Sequence, residues 1–347
     1  MAQALHIRFR KQLNRWIHRL FSKLYPLKEN PEPIKKSLIK KILLVRINYR
    51  IGNILFTTPL LNALEKEFPD AEIDVMIGAP FITPLIEKMP QINKVYNFPR
   101  GLLKHPLKIL KLKKELRNNN YDLLVTPSLN SSSDSFFTFL VSAKYKVGFY
   151  APDIFSPLTH GIKFPKKVEH EALKPLVLMS VFEEKNLNRF KRYMDLRLTD
   201  KEKELVLTKN LKGSIGIFRD ARNEKKIENS WWIELTKTLK SLNHDLKFID
   251  ILDPNNTTPL EKEMPILSEK NLRILAAKIG NLDAFICGDT GPMHLASATL
   301  TPTIALFKTT SPTLYGTLGE NDLSVEIQNK SIDEIAKKII EHLKKVH

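Results

Sequence analysis

With a single cysteine, Cys287, the 347-residue chain has no means of closing an internal disulfide or building a cysteine-based zinc site. One thiol suits a reducing compartment, and its apolar neighbours Ala284, Phe285 and Ile286 mark it as buried and structural rather than nucleophilic. No apolar run reaches the roughly 18–20 residues of a membrane-crossing helix. The turn after the first apolar strand carries neither G-x-G-x-x-G nor G-x-x-x-x-G-K-[ST], which argues against a dehydrogenase and an ATPase. Acid is scarce: 38 Asp+Glu face 55 Lys+Arg, a formal charge of +17 that asks for an acidic partner. At 42% hydrophobic the chain is no disordered polymer, and its length suggests two domains.

Much of the charge is local. Residues 1–28 hold seven basic residues and no acid, with Leu5, Phe9, Leu13, Trp16, Ile17, Leu20, Phe21 and Leu24 at helical spacing opposite Arg8, Lys11, Arg15 and Arg19. Such a helix lies on an anionic membrane surface or packs on protein, either this chain's body or a second subunit. Its charges are interleaved with apolar residues, unlike a cleaved signal peptide. Pro26, Pro31 and Pro33 make a stiff linker. A second basic segment, Lys104–Arg117, places Ile109, Leu112 and Leu116 on one side of a surface helix and could extend the same cationic surface.

Apolar strands then alternate with helices. In the first half, strands are expected at 42–47, 73–77, 95–98 and 121–126, with helices at 59–68, 81–89 and 104–118. In the second, strands fall at 213–218, 246–252, 284–287 and 303–307, with helices at 230–242, 269–279, 292–299 and 331–345. This is α/β order, two doubly wound Rossmann-like halves over parallel sheets. The expected division is an N-terminal helix and linker at 1–38, a first domain at 39–190 and a second at 191–347, with the terminal helix free to pack back on the first.

Ligands of such sheets bind beyond the carboxyl ends of the strands. The first turn offers Asn48, Arg50, Gly52, Asn53 and Thr57, with Gly52 allowing close approach of the backbone. The second, Gly288-Asp289-Thr290-Gly291-Pro292-Met293-His294, ends a buried strand and opens a helix, an arrangement suited to phosphate. A third turn brings Arg219, Arg222 and Lys225, cations suited to a diphosphate. His294 either hydrogen-bonds that diphosphate or caps local structure. His160, His170 and His244 show no metal-ligand spacing.

These residues resemble glycosyltransferase family 9, the ADP-heptose:lipopolysaccharide heptosyltransferases. Ile42–Pro59 followed by Leu60–Val75 is similar to that family's opening. Lys225 with Trp232, Glu234 and Leu235 is similar to its lysine-to-tryptophan motif. Gly288–Ala296 followed by Thr301–Phe307 is its most specific signature. The resemblance runs from about Lys41 to the C-terminus.

The resemblance implies a GT-B fold, two Rossmann-like domains facing a cleft, and an inverting transfer of heptose, or a related sugar, from ADP-heptose or a similar nucleotide sugar to the inner core of lipopolysaccharide. It implies donor binding by Asp289, Thr290, Gly291 and Lys225, with Arg219, Arg222 and His294 beside them. Acceptor binding falls to Asn48, Arg50, Gly52 and Thr57. Lys225 would neutralise the leaving group with no metal and no cofactor, in keeping with the absence of Asp-x-Asp from the chain. Expected partners are the nucleotide sugar, a lipid A-core type glycolipid and, through residues 1–28, an anionic membrane surface on the cytoplasmic face of a Gram-negative-type inner membrane. Nucleic acid is not expected.

Three departures stand out. Asn53 occupies the position of the family's aspartate, the presumed general base, and an amide accepts no proton. Asp134, at another strand tip of the same half, is the candidate substitute. Asp220 and Ala221 replace hydroxyls before the lysine, and Ile227 and Glu228 replace Trp-Pro. The alternatives are a catalytically weak or inactive member acting as a binding or scaffold protein, and a basic nucleic-acid-binding protein, which lacks any recognised binding motif.

Overall fold

The first buried strand, β1 (Lys41–Arg46), sets the plan of the molecule, because Ile42–Val45 point alternately to both faces of a sheet and are buried on each. The structure is a computed structural model that describes residues 27, 31–102, 105–129, 131–150, 155–165, 170–182, 186–208, 211–256 and 258–346. The helix read at 5–24 and Lys104 lie outside the described residues. Among the described residues no helix is long and apolar enough to cross a membrane.

After β1 come α1 (Ile51–Leu55), α2 (Thr58–Glu67), β2 (Glu72–Ile77), α3 (Thr83–Ile86) and β3 (Ile92–Asn97). They are followed by α4 (Pro106–Asn118), β4 (Tyr121–Thr126), α5 (Ser132–Leu140), β5 (Ala143–Tyr150) and β6 (His160–Lys163). The six strands form one parallel sheet in the order β3-β2-β1-β4-β5-β6.

The remainder repeats the scheme. A short α6 (Asp200–Glu204), closed by a Thr199/Glu202 capping box, precedes β7 (Ser214–Phe218), α7 (Asn229–Leu242), β8 (Lys247–Leu252) and β9 (Ile266–Ser268). Then come α8 (Leu272–Ile279), β10 (Ala284–Gly288), α9 (Gly291–Ser297), β11 (Thr303–Phe307), α10 (Pro312–Tyr315), β12 (Leu323–Glu326) and α11 (Ile332–Val346). This second parallel sheet has the order β12-β11-β10-β7-β8-β9, the same winding as the first. In each sheet the strand order reverses beside the first strand, at β1/β4 and at β7/β10, and there the loops part to admit a ligand.

The chain divides into two compact units. The first takes the described residues through Tyr49 and those of Pro59–Val168 and Leu173–Lys191; the second takes the described residues of Arg50–Thr58, Glu169–Ala172 and Arg192–His347. Two short segments from the first half of the sequence therefore belong to the second unit. The terminal helix α11 is used there too. Ile335, Ala336, Ile339, Ile340 and Leu343 join Trp232, Leu235 and Leu239 of α7 in the core of the second sheet.

The helix expected at 81–89 is shorter, a 3-10 turn Pro80–Ile82 leading into α3. Strands β5, β6, β9 and β12, and helices α1, α5, α6 and α10, add to the elements expected from the sequence.

Candidate functional site

Register fixes where the second unit's polar turns meet. Cys287 of β10 pairs with Phe218 of β7, so Asp289 and Arg219 leave the sheet at neighbouring points of the switch. Asp289 is buried, and its Oδ2 takes two donors: the Lys225 ammonium at 2.5 Å and the Thr310 hydroxyl. Lys225 ends the 3-10 turn Asn223–Lys225 after β7, and its side chain stays partly exposed. Thr310 follows β11. Three successive loops of the switch thus converge on one carboxylate, leaving a partly open ammonium beside it.

Thr290 is the extended N-cap of α9, and its hydroxyl donates to Gly288 O at 3.4 Å and accepts no N–H of the helix. Gly291 and Pro292 begin the helix. One turn on, His294 is buried beneath it. Burial pushes its pKa down to about 3, against the pull of Asp289 and reinforced by His170 and Lys225, so the imidazole is neutral at physiological pH. Its Nδ1 is buried without a partner among the described residues.

The segment 50–58 enters the same unit through this ring. Gly52 lies on His294 so closely that a Cβ there would stand 2.7 Å from Cδ2. A Cβ on Gly291 would meet Ile51 Cβ at 3.5 Å, so α1 and α9 touch along their first turns. The Phe56 ring meets His294 edge-on at 4.6 Å between centroids and His170 at 5.5 Å. His170 Nδ1 accepts the Ala172 N–H at 3.1 Å, so its proton sits on Nε2 and is donated to Gly316 O at 2.8 Å. Asn53, on α1, therefore belongs to the same compact unit as Asp289 and His294.

The remaining candidates sort differently. Arg219, expected against a diphosphate, is buried and turned into its own unit: Nε and Nη2 hold Asp250 Oδ2 at 3.3 and 3.2 Å, Nη1 holds Asn229, and Nη2 also donates to Thr258 O. Its donors brace the loop after β8, and Asp250 also accepts the Leu260 N–H. Thr57, expected at an acceptor, is buried and donates its hydroxyl to Ile54 O, closing α1. Arg222 is exposed, in the turn leading to Lys225. In the first unit, Asn48 uses its backbone: its N–H donates to Arg46 O and its carbonyl accepts from Gly78. Arg50 is the exposed residue preceding α1.

Asp134, the expected substitute base, is 2% exposed, and its Oδ1 accepts the Ile47 N–H at 2.9 Å. Burial raises its pKa, while the Ser128 hydroxyl, Arg46 and the Ile47 N–H draw it back. It sits in the first turn of α5, whose N-cap Ser131 accepts its N–H, and ties that turn to the exit of β1. So enclosed, this carboxylate holds the β1 turn. Cys287 is fully buried and its thiol pKa is raised by burial, as a structural thiol should be. Thr310 and Phe56 carry no signal in the sequence, and His170 figures there only as a histidine without metal-ligand spacing: a threonine in a polar loop and an aromatic after an apolar helix stand out only when the fold brings them to Asp289 and His294.

Two six-stranded parallel sheets of identical winding are the GT-B architecture. The family model Glycosyltransferase family 9 (heptosyltransferase) matches residues 109–344, and the chain belongs to that family. Lipopolysaccharide heptosyltransferase 3 of Escherichia coli strain K12 is 24% identical over 297 residues, covering 78% of this chain and 83% of that protein. Among solved structures, the glycosyl transferase family 9 protein of Veillonella parvula superposes with a TM-score of 0.74 at 18% identity, over 89% of this chain and 97% of that one. E. coli heptosyltransferase WaaC with ADP gives 0.72 at 16%, over 87% and 99%. At these identities the structures speak for the fold.

Proposed function

We propose that the chain takes a heptose, or a related sugar, from ADP-heptose or a similar nucleotide sugar and transfers it, with inversion, to the inner core of lipopolysaccharide. The observation that carries this reading is the Lys225–Asp289 pair, with Thr310 on the same oxygen, at the switch point of the second sheet. As the bond from the anomeric carbon to the diphosphate breaks, negative charge gathers on the leaving group. The partly open ammonium of Lys225 is set to take it, with neither metal nor cofactor. Asp289 orients that ammonium and offers an acceptor for a sugar hydroxyl. Asn53 hydrogen-bonds and orients the acceptor alcohol. Family membership, the relative named lipopolysaccharide heptosyltransferase 3 and the ADP in WaaC support the choice of donor and acceptor. The acceptor is a glycolipid, so the work is done at the cytoplasmic face of a bilayer, with residues 1–28 on its anionic surface.

Thermal shift against nucleoside diphosphates tests the donor. A ligand that binds only the folded state raises its stability by RT ln(1 + [L]/Kd), so ADP and ADP-sugars should stabilise the chain more than UDP or GDP. Equal stabilisation by all three would overturn the ADP assignment.

A second reading rests on Asn53 alone, whose amide accepts no proton: a family member that binds the nucleotide sugar and turns it over weakly or not at all. Sugar transfer by the purified chain that Asn53→Asp does not raise rejects it. A rise in rate only in Asn53→Asp supports it.

A further inference from the structure

We propose that the outward face of α4 docks on an anionic phospholipid bilayer. Its inward face is ordinary: Leu116 is buried in the core of the first sheet, with Leu112 packed beside it. The other face is not. Leu107 is 79% exposed and Leu110 59%, within one turn of each other. Lys108, Lys111, Lys114 and Arg117 are exposed around them.

At about 100° per residue, Leu107, Leu110, Lys111 and Lys114 fall within roughly 100° of arc, a single stripe. The one acid of the helix, Glu115, pairs with Lys94 of β3, and no carboxylate pairs with the four outward cations among the described residues. Scattered exposed leucines are common on proteins. Two within one turn, ringed by cations and no anion, match the two layers of a bilayer interface. The leucines reach the acyl boundary, and the lysines lie along it with their ammonium groups at the phosphates. Duplex nucleic acid would answer the charge but offers nothing for the leucines.

This inference stands apart from the donor chemistry, and it assigns membrane contact to a folded helix of the first unit in addition to residues 1–28. It is tested with the full chain by flotation with vesicles of phosphatidylcholine, alone or with about one third phosphatidylglycerol. Leu107→Ser/Leu110→Ser and Lys111→Gln/Lys114→Gln, both on exposed positions, should each weaken binding to the anionic vesicles roughly tenfold, with Tm and stabilisation by ADP unchanged. Because Cys287 is fully buried, Leu107→Cys supplies one reactive thiol for an environment-sensitive fluorophore. Its emission should shift to the blue on anionic vesicles and stay in place on phosphatidylcholine. Wild-type binding by both double variants would assign all attachment to residues 1–28 and overturn the proposal. Loss of binding in the lysine variant alone, with no blue shift at position 107, would leave only electrostatic adsorption and overturn it as well. Competition by random duplex DNA that tracks the variants while vesicle binding does not would transfer the face to nucleic acid.

Discussion

Gly52 and His294 touch across two helices: the α-carbon of one lies on the imidazole of the other, leaving no room for a Cβ, which would stand 2.7 Å from Cδ2. Through this contact α1, which carries Asn53, is seated on α9, which begins at the turn of Asp289 and Thr290. The glycine is needed for closeness of approach rather than for an unusual backbone angle.

Gly52→Ala should therefore destabilise the chain by about 1–3 kcal/mol, the usual cost of overpacking a tight contact. It should also lower sugar transfer by displacing α1 from α9. Gly52→Ala/His294→Ala should recover part of the stability, because the second change opens the space the first requires. Urea denaturation of the four proteins measures this coupling, and strict additivity would show that the contact is not the cause.

His294 makes stability depend on pH in a fixed direction. Folded, it resists protonation down to about pH 3; its ordinary pKa is 6.5. Between those values the unfolded chain binds a proton that the folded chain refuses, so stability is full above about pH 6.5 and falls as the pH drops, by about 1.4 kcal/mol per unit. Acid unfolding of wild type against His294→Gln should show the difference shrinking by about 2 kcal/mol between pH 6.5 and 5. Parallel curves would mean that the ring titrates normally.

Lys225→Gln should lower transfer by roughly a hundredfold or more if, as proposed above, this cation neutralises the leaving group. Its partly exposed position should leave Tm nearly unchanged. Thr310→Val, which deletes one hydrogen bond to Asp289, should cost about 1 kcal/mol of stability and a smaller part of the activity. Steady-state kinetics with the nucleotide sugar separates the two. A Thr310→Val enzyme slower than Lys225→Gln would reverse their proposed ranks.

Asp134→Ala should cost about 1–3 kcal/mol, because it leaves the Ile47 N–H without its acceptor in a buried site. Asp134→Asn retains an oxygen for that N–H and should keep most of both stability and activity. A fully folded Asp134→Asn protein with no activity would restore this carboxylate as the base.

Much of the fold was legible because the central strands are buried on both faces. Ile42–Val45, Ile215–Phe218 and Ala284–Cys287 are continuous apolar runs whose burial leaves few alternatives. Strands β5 and β12 carry charge, as at Lys144, Lys146 and Glu326, since they lie nearer the sheet edges and show one face to water, so their pattern is weaker. Helix α1 has only five residues, too few for a period to show, and Gly52 within it reads as a turn.

The sequence by itself determined the doubly wound halves and the order of the motifs, and it marked Lys225 and Asp289 as candidates, because strand burial and the residues at strand tips are written locally. Only the tertiary structure decided which polar groups face one another. It turned Arg219 inward to Asp250, folded Thr57 back on Ile54, enclosed Asp134 against Ile47, and brought Thr310 to Asp289 and Gly52 to His294. These pairs lie far apart in the chain, or compete with equally plausible partners. Their choice depends on packing and on the need of every buried polar group for a partner, which no local pattern encodes.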